Sequence, residues 1–184
     1  MTSLAPTAPA SVFRKVTVRD AVILLAMAWL VPFLIHLVPW SNPRPLGAYL
    51  LPAFWSTFVA VYFFGIGAGL LTGLFMPVLN FLLTGLPASS FFGRMSLELV
   101  LFVLVTAWAI RSAPRFWLWA PVGYFVAKTV SALLLSAAEI IGRPGAAGYF
   151  FAHILIGSGA GLIVLDVING ELVKFCPKAG GGKR

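Results

Sequence analysis

Long apolar stretches recur along this chain of 184 residues, each about as long as a helix must be to cross a lipid bilayer. An α-helix rises about 1.5 Å per residue, so roughly 20 apolar residues cover the hydrocarbon core. Short polar or Pro/Gly-rich segments separate the stretches, and Gly65 is nearly all that separates the second from the third. We predict six crossings, at about residues 20–40, 47–64, 66–86, 95–110, 116–140 and 147–169.

The composition agrees with a chain dissolved in lipid rather than in water. Hydrophobic residues make up 60% of the sequence and charged residues only 10%, which is unlike a soluble domain of this size. The predicted fold is therefore an all-α integral membrane protein, a single bundle of six transmembrane helices. We expect an N-terminal segment at 1–19, the membrane domain at 20–170 and a C-terminal tail at 171–184.

The net charge of +8 suggests an orientation rather than a nucleic-acid partner. With six crossings, nine of the thirteen Lys and Arg residues lie on the side of the termini, three on the other side, and Lys128 within a helix. The nine are Arg14, Lys15, Arg19, Arg111, Arg115, Lys174, Lys178, Lys183 and Arg184; the three are Arg44, Arg94 and Arg143. Basic residues concentrate on the cytoplasmic side of membrane proteins, so we predict that both termini are cytoplasmic.

Enzymatic motifs are missing from the sequence. Its single cysteine, Cys176, provides neither a disulfide nor a thiolate metal site, and no HExxH or Ser/His/Asp pattern is present. GIGAG at 65–69 and GSGAG at 157–161 imitate phosphate-binding loops but lack the following Lys-Ser/Thr. We therefore predict no catalysis and no resident cofactor, and assign the glycines to helix packing: Gly65, Gly67, Gly69, Gly73, Gly157 and Gly161.

Polar side chains inside the predicted crossings concentrate toward the outer side of the membrane. Polar residues that face a bundle interior commonly mark the path of a solute. We predict a cavity open to the outside, and its candidate substrate-binding residues are His36, Asn80, Thr84, Glu98, Lys128, His153 and, as a ring that would stack on a planar solute, Trp55.

Each candidate also has a purely structural interpretation. Asn80 and Thr84 would then hydrogen-bond between helices, and Glu98 would be a solvated carboxylate at a helix start. Lys128 needs a partner inside a membrane, and Glu98 is the nearest carboxylate by depth, so a structural ion pair is the simplest alternative to a solute bound between them. The histidines suit either solute contacts or satisfied helix ends, and Trp55 suits exposure to lipid.

One part of the sequence resembles a known family. The run GAGLLTGLFMPVLNFLLTGLP at 67–87, followed after a short loop by MSLELVLFVLVTAWAIR at 95–111, is similar to the membrane-embedded substrate-binding subunits, or S components, of energy-coupling factor (ECF) vitamin transporters. The shared features are the small residues from Gly67 to Gly73, Pro77, the segment from Thr84 to Pro87, and Glu98 at the start of the next helix.

This resemblance implies a receptor for a small organic micronutrient, a vitamin or vitamin-like heterocycle, in a bacterial or archaeal cytoplasmic membrane. Its implied partners are a coupling transmembrane subunit and two cytoplasmic ATPases, besides membrane lipid and the nutrient. Two alternatives remain open at this point. One is a structural subunit of a membrane complex without transport activity, and the other is a haem-binding protein that uses His36 and His153 as axial ligands.

Overall fold

The computed structural model describes residues 17–41, 46–85, 89–139 and 158–176, and every regular element within these ranges is an α-helix. This confirms the all-α prediction for the described part of the chain. The helices are α1 (Val18–His36), α2 (Leu46–Leu50), α3 (Pro52–Phe64), α4 (Ile66–Thr84), α5 (Ser89–Ser112), α6 (Trp119–Glu139) and α7 (Gly159–Phe175).

Three helices contain stretches that are long and apolar enough to cross a membrane, judged by length and composition among the described residues. These stretches are Val18–Ile35 in α1, Ile66–Leu83 in α4 and Gly93–Ser112 in α5. Helix α3 is apolar but shorter. The described helices overlap the six predicted stretches, and six crossings remain a prediction. Residues 147–157 of the last stretch lie outside the described residues.

The second predicted stretch is two helices rather than one. Leu51 separates α2 from α3 in a left-handed conformation with φ of 53°, and Pro52 is the first residue of α3. A proline disfavours helical geometry at the residue before it, while its own fixed φ suits the first position of a helix. The Trp55 side chain donates from Nε1 to the carbonyl oxygen of Leu50 at 3.2 Å and so spans the break.

Glycines make the turn between α3 and α4 and end α4. Gly65 has φ of 88° and Gly85 has φ of 73°, both in the region that side-chain-bearing residues rarely adopt. The two helices therefore fold back on each other with a single residue between them.

Two helix boundaries differ from the prediction. Helix α5 begins at Ser89 rather than near residue 95, so Arg94 belongs to a helix rather than to an outer loop. Helix α7 continues to Phe175, past the predicted crossing end at 169 and past the expected start of the tail at 171. Helices commonly extend beyond the purely apolar stretch, because polar residues at the helix ends form the same backbone hydrogen bonds as apolar ones.

Helix α5 occupies the centre of the described bundle and packs against α3, α4 and α6. A Cβ atom built on Gly69 of α4 would lie 3.0 Å from Val103 of α5, and one on Gly73 would lie 3.3 Å from Leu99. The later residue of α4 thus meets the earlier residue of α5, so the two helices are antiparallel. The Cβ atom on Gly69 would also overlap Val61 of α3. Small residues at these positions bring the two backbones close together. Gly67, in contrast, is exposed.

Helix α7 packs against the break between α2 and α3. A Cβ atom built on Gly161 would lie 2.6 Å from the Tyr49 carbonyl oxygen and 2.5 Å from Leu51 Cγ, so no larger residue fits there without a shift of the backbone. At the other end of α7, the Tyr62 hydroxyl lies within hydrogen-bond distance of the carbonyl oxygens of Leu172, at 3.1 Å, and Cys176, at 2.8 Å. Both ends of α7 are thus fixed to the α2–α3 pair.

Candidate functional site: a buried ionic cluster

A buried carboxylate meets two less buried cations where α5 and α6 pack together. Glu98 of α5 is only 3% exposed, and its Oε2 atom accepts a hydrogen bond from Lys128 Nζ of α6. Its Oε1 atom accepts from Arg94 Nε at 3.2 Å. A buried carboxylate is stable in its charged form when opposite charges and hydrogen bonds satisfy both oxygens. We call Arg94, Glu98 and Lys128 the ionic cluster.

Local sequence and helix packing bring these three residues together. Arg94 and Glu98 are four residues apart on α5 and therefore share one face of the helix. Helix α6 approaches that face closely, because a Cβ atom at Gly123 would lie 2.6 Å from Thr106 Cγ2. The antiparallel course of α6 then carries Lys128, five residues after Gly123, to the level of Glu98.

Aromatic rings hold the lysine in position. Lys128 Nζ lies 5.6 Å from the centroid of the Phe54 ring and 5.7 Å from that of the Tyr124 ring, within the range of cation–π attraction. The two rings pack edge to face with centroids 4.8 Å apart, and both are buried. The ammonium is thus oriented from α3 and α6 while it bonds to the carboxylate from α5.

Hydroxyl groups lie next to the cluster along α6. Tyr124 Oη and Ser158 Oγ form a hydrogen bond of 2.8 Å that joins α6 to the residue before α7. Ser131, one turn beyond Lys128 on the same face, is fully buried, and its Oγ has no hydrogen-bond partner among the described groups. A buried hydroxyl without a partner is costly, by about 1–3 kcal/mol.

The structural alternative for Glu98, a solvated carboxylate at a helix start, is wrong. Helix α5 has no acidic residue in its first turn, and Glu98 lies in its third turn, with its side chain buried. The difference follows from the earlier start of α5 at Ser89, which moves the solvated helix end about nine residues away from Glu98.

Asn80 lies on the buried stripe of α4, together with Gly69, Gly73 and Pro77, as its spacing predicts. Its Nδ2 donates to the Met76 carbonyl oxygen of its own helix at 3.1 Å. Asn80 is seven residues past Gly73, about 10 Å along the helix axis. Gly73 faces Leu99 of α5, and α5 runs antiparallel to α4. The step from Gly73 to Asn80 along α4 therefore matches a step from Leu99 back toward Arg94 along α5. Asn80 and Arg94 thus lie at similar heights in the bundle.

Among the remaining predicted site residues, the structure describes the side chain of Trp55. Trp55 is half-buried, packs against the hydrophobic core and donates to the Leu50 carbonyl oxygen. The side chains of His36 and Thr84, at the last residues of α1 and α4, lie outside the described residues, as do His153 and Gly157.

Sequence reasoning missed one member of the ionic cluster, Arg94, and two contacts beside it. The four-residue spacing of Arg94 and Glu98 was a usable signal, which the assignment of Arg94 to an outer loop concealed. Phe54 gave no signal, because one phenylalanine among 16 cannot be singled out without knowing the packing. The bond between Tyr124 and Ser158 likewise depends on how α6 and α7 pack.

Comparisons with protein-family models, curated proteins and solved structures found no match to this chain. The function must therefore be inferred from the residues and their geometry.

Proposed function

We propose that this chain is a membrane-embedded substrate-binding subunit for the uptake of a small organic nutrient, of the type that the resemblance to ECF S components implies. The single observation that carries this proposal is the ionic cluster, in which the buried Glu98 carboxylate meets the Lys128 ammonium between two apolar helices and the partly exposed Arg94 guanidinium at the edge. Ionisable groups are costly in such a setting and, when present, commonly mark solute sites.

The distribution of exposed side chains supports a lipid environment. Large apolar side chains are exposed on every long helix, for example Leu34, Leu82, Leu104, Leu133 and Ile163. Leu82 is 70% exposed, whereas the carboxylate-bearing Glu98 is 3% exposed. Exposed apolar side chains of this kind are favourable in hydrocarbon, whereas soluble monomers rarely expose large apolar patches.

The full topology is part of the proposal. Six crossings, with α2 and α3 together forming one of them, place both termini in the cytoplasm under the positive-inside rule. The ionic cluster then lies in the outer half of the bundle, at a depth that an extracellular solute reaches. Uptake would require a separate coupling transmembrane subunit and two cytoplasmic ATPases.

The test is mass spectrometry of small molecules that co-purify with the protein in neutral detergent. We expect wild type to retain a specific organic compound, which Lys128→Ala and Asn80→Ala lose. Lys174→Ala is the matched control, because Lys174 is exposed near the end of α7. Size-exclusion chromatography and helical circular dichroism establish that each variant is folded. An identical compound profile in all four proteins would refute the proposed site.

A structural subunit without transport activity is the second candidate, and the direct Lys128–Glu98 contact favours it. In that case the pair locks α5 to α6 and serves no solute. The double variant Glu98→Leu/Lys128→Met distinguishes the candidates, since matched apolar residues often replace a buried ion pair without loss of stability. A folded double variant, together with a wild type that retains no compound, would support the structural role.

A further inference from the structure

The connection between α5 and α6 exposes a basic residue beside aromatic rings. In this connection, at residues 113–118, Arg115 is exposed, and so are Phe116, at 39%, and Trp117, at 51%. Arg115 forms no ion pair with a carboxylate of the described residues, and residues 99–138 contain no Asp or Glu. Positive charge and apolar ring surface therefore lie side by side. We call Arg115, Phe116 and Trp117 the basic–aromatic connection.

Contacts on both sides hold the backbone of this connection in place. The Phe116 amide donates to the Ala113 carbonyl oxygen at 3.1 Å, and Trp119 Nε1 donates to the same oxygen at 2.7 Å. The rings of Phe116 and Trp119 pack edge to face with centroids 4.7 Å apart. From α7, Asn169 Nδ2 donates to the Trp117 carbonyl oxygen. A ligand at this surface therefore meets a backbone that is already ordered, which lowers the entropy lost on binding.

Helix α5 places the connection at the level of lipid headgroups. The apolar stretch of α5 that is long enough to cross a membrane ends at Ser112, three residues before Arg115. Three residues span about 10 Å at most, so Arg115 lies within reach of lipid phosphates. Trp108, in the last turns of this stretch, is 64% exposed, and its ring packs edge to face on Trp119 with centroids 6.5 Å apart. Tryptophans are enriched at the membrane–water interface.

Another exposed cation at the same end of the bundle differs from Arg115. Lys174, in the last turn of α7, has its Nζ atom 4.8 Å from the centroid of the exposed Phe175 ring. Glu171 is three positions earlier on the same helix, where it is close enough to offset the lysine charge. The charge of Arg115, in contrast, is left for a ligand to neutralise.

A guanidinium next to exposed rings at headgroup depth fits one kind of ligand. We infer that the basic–aromatic connection binds an acidic phospholipid, whose phosphodiester bonds to Arg115 while Phe116 and Trp117 contact the glycerol and the upper acyl chains. The planar guanidinium carries its donors in a fork that matches two phosphate oxygens. A zwitterionic headgroup fits less well, because its own cation already offsets the phosphate charge. This inference requires only that α5 crosses a membrane, so it is independent of the receptor function.

Lipid titrations followed by native mass spectrometry test the inference. The full chain is delipidated in neutral detergent and titrated with phosphatidylglycerol or with phosphatidylcholine of identical acyl chains. We expect wild type to bind phosphatidylglycerol more tightly than phosphatidylcholine. Arg115→Gln should bind phosphatidylglycerol about 10-fold more weakly, because it loses a charge-assisted hydrogen bond, and Arg115→Lys should recover part of the loss.

Lys174→Gln is the matched control, since it removes the same charge from an exposed side chain at the same end of the bundle. We expect this variant to keep the affinity of wild type for phosphatidylglycerol. Equal losses in Arg115→Gln and Lys174→Gln would mean that the net charge of the chain attracts the lipid, and equal binding of both lipids to wild type would remove the preference. Either result would overturn the inference.

Further titrations separate the headgroup from other ligands of Arg115. Trp117→Ala removes the ring but keeps the carbonyl oxygen that Asn169 contacts, so both lipids should bind more weakly with the same preference. Inorganic phosphate offers the rings nothing to contact and should not displace phosphatidylglycerol. Displacement by phosphate would assign Arg115 to free anions and overturn the lipid assignment. Unchanged phosphatidylglycerol binding in Arg115→Gln would also overturn it and would leave this surface to another partner, such as the acidic face of a protein.

Discussion

Glu98 and Lys128 form an ion pair across α5 and α6, 30 positions apart in the chain. The pair couples two helices that contact each other mainly through apolar and small residues. Its energetic role follows from burial, because the Glu98 side chain is 3% exposed and loses a charged partner when Lys128 is replaced.

A double-mutant cycle measures that role. Lys128→Met removes one of the charged partners of Glu98, and Glu98→Leu removes the carboxylate partner of Lys128. We expect each single variant to lower the free energy of unfolding by about 3 kcal/mol, the lower end for a broken buried pair. Glu98→Leu/Lys128→Met should lie within about 1 kcal/mol of wild type. Equilibrium unfolding in mixed micelles of neutral detergent and dodecyl sulfate gives these values. A double variant as unstable as the sum of the single ones would show that the two residues do not interact.

Two glycines of α7 provide a matched pair for testing close helix packing. We expect Gly161→Ala to destabilise the protein by about 1–3 kcal/mol, because the new methyl group would meet the Tyr49 carbonyl oxygen and Leu51. Gly170→Ala has open space around its Cβ atom and should be neutral or stabilising by about 0.5–1 kcal/mol through helix propensity. Thermal unfolding followed by tryptophan fluorescence compares the two. Equal melting temperatures would mean that α7 does not pack on the α2–α3 break.

The helices were largely predictable because span length and hydropathy are local properties of the sequence. The break at Leu51 was not, since a proline inside an apolar stretch permits a kink or a new helix start without specifying which. The start of α5 was placed too late because the segment 86–94 contains Pro, Ser and Gly, which are typical of loops.

The ionic cluster was predictable only in part. The positions of Lys128 and Glu98 along their helices were enough to predict that the two residues lie at similar depth, because each residue of a helix advances about 1.5 Å along its axis. The contact between Lys128 and the Phe54 ring depends on the rotation of α3 about its axis, and hydropathy does not determine rotation in a helix that is apolar on all sides. Arg94 shows the opposite case, in which a local spacing was sufficient but the wrong helix boundary concealed it.

The contact between α3, α4 and α5 at Gly69 provides a rescue experiment. A methyl group at Gly69 would overlap Val61 Cγ2 and crowd Val103, so we expect Gly69→Ala to lower the free energy of unfolding by about 1–3 kcal/mol. Val61→Ala removes the atom that overlaps and by itself should cost about 1–3 kcal/mol because Val61 is buried. The combination Val61→Ala/Gly69→Ala should be more stable than the sum of the single losses, as measured in the same mixed micelles. Strict additivity would contradict the described contact.

The hydrogen bonds at the two ends of α7 predict different local effects of two similar substitutions. Tyr62→Phe removes the hydroxyl that contacts the carbonyl oxygens of Leu172 and Cys176, and Tyr124→Phe removes the bond to Ser158. Each change should cost about 0.5–1.5 kcal/mol, because a net intramolecular hydrogen bond contributes that much. Hydrogen–deuterium exchange separates the two effects, since local opening exposes only the amides of the released turn. We expect faster exchange at the Cys176 amide, which bonds to the Leu172 carbonyl oxygen, in Tyr62→Phe, and at the Leu162 amide, which bonds to the Ser158 carbonyl oxygen, in Tyr124→Phe. Exchange that rises uniformly along α7 in both variants would indicate that the tyrosines stabilise the whole bundle rather than the ends of this helix.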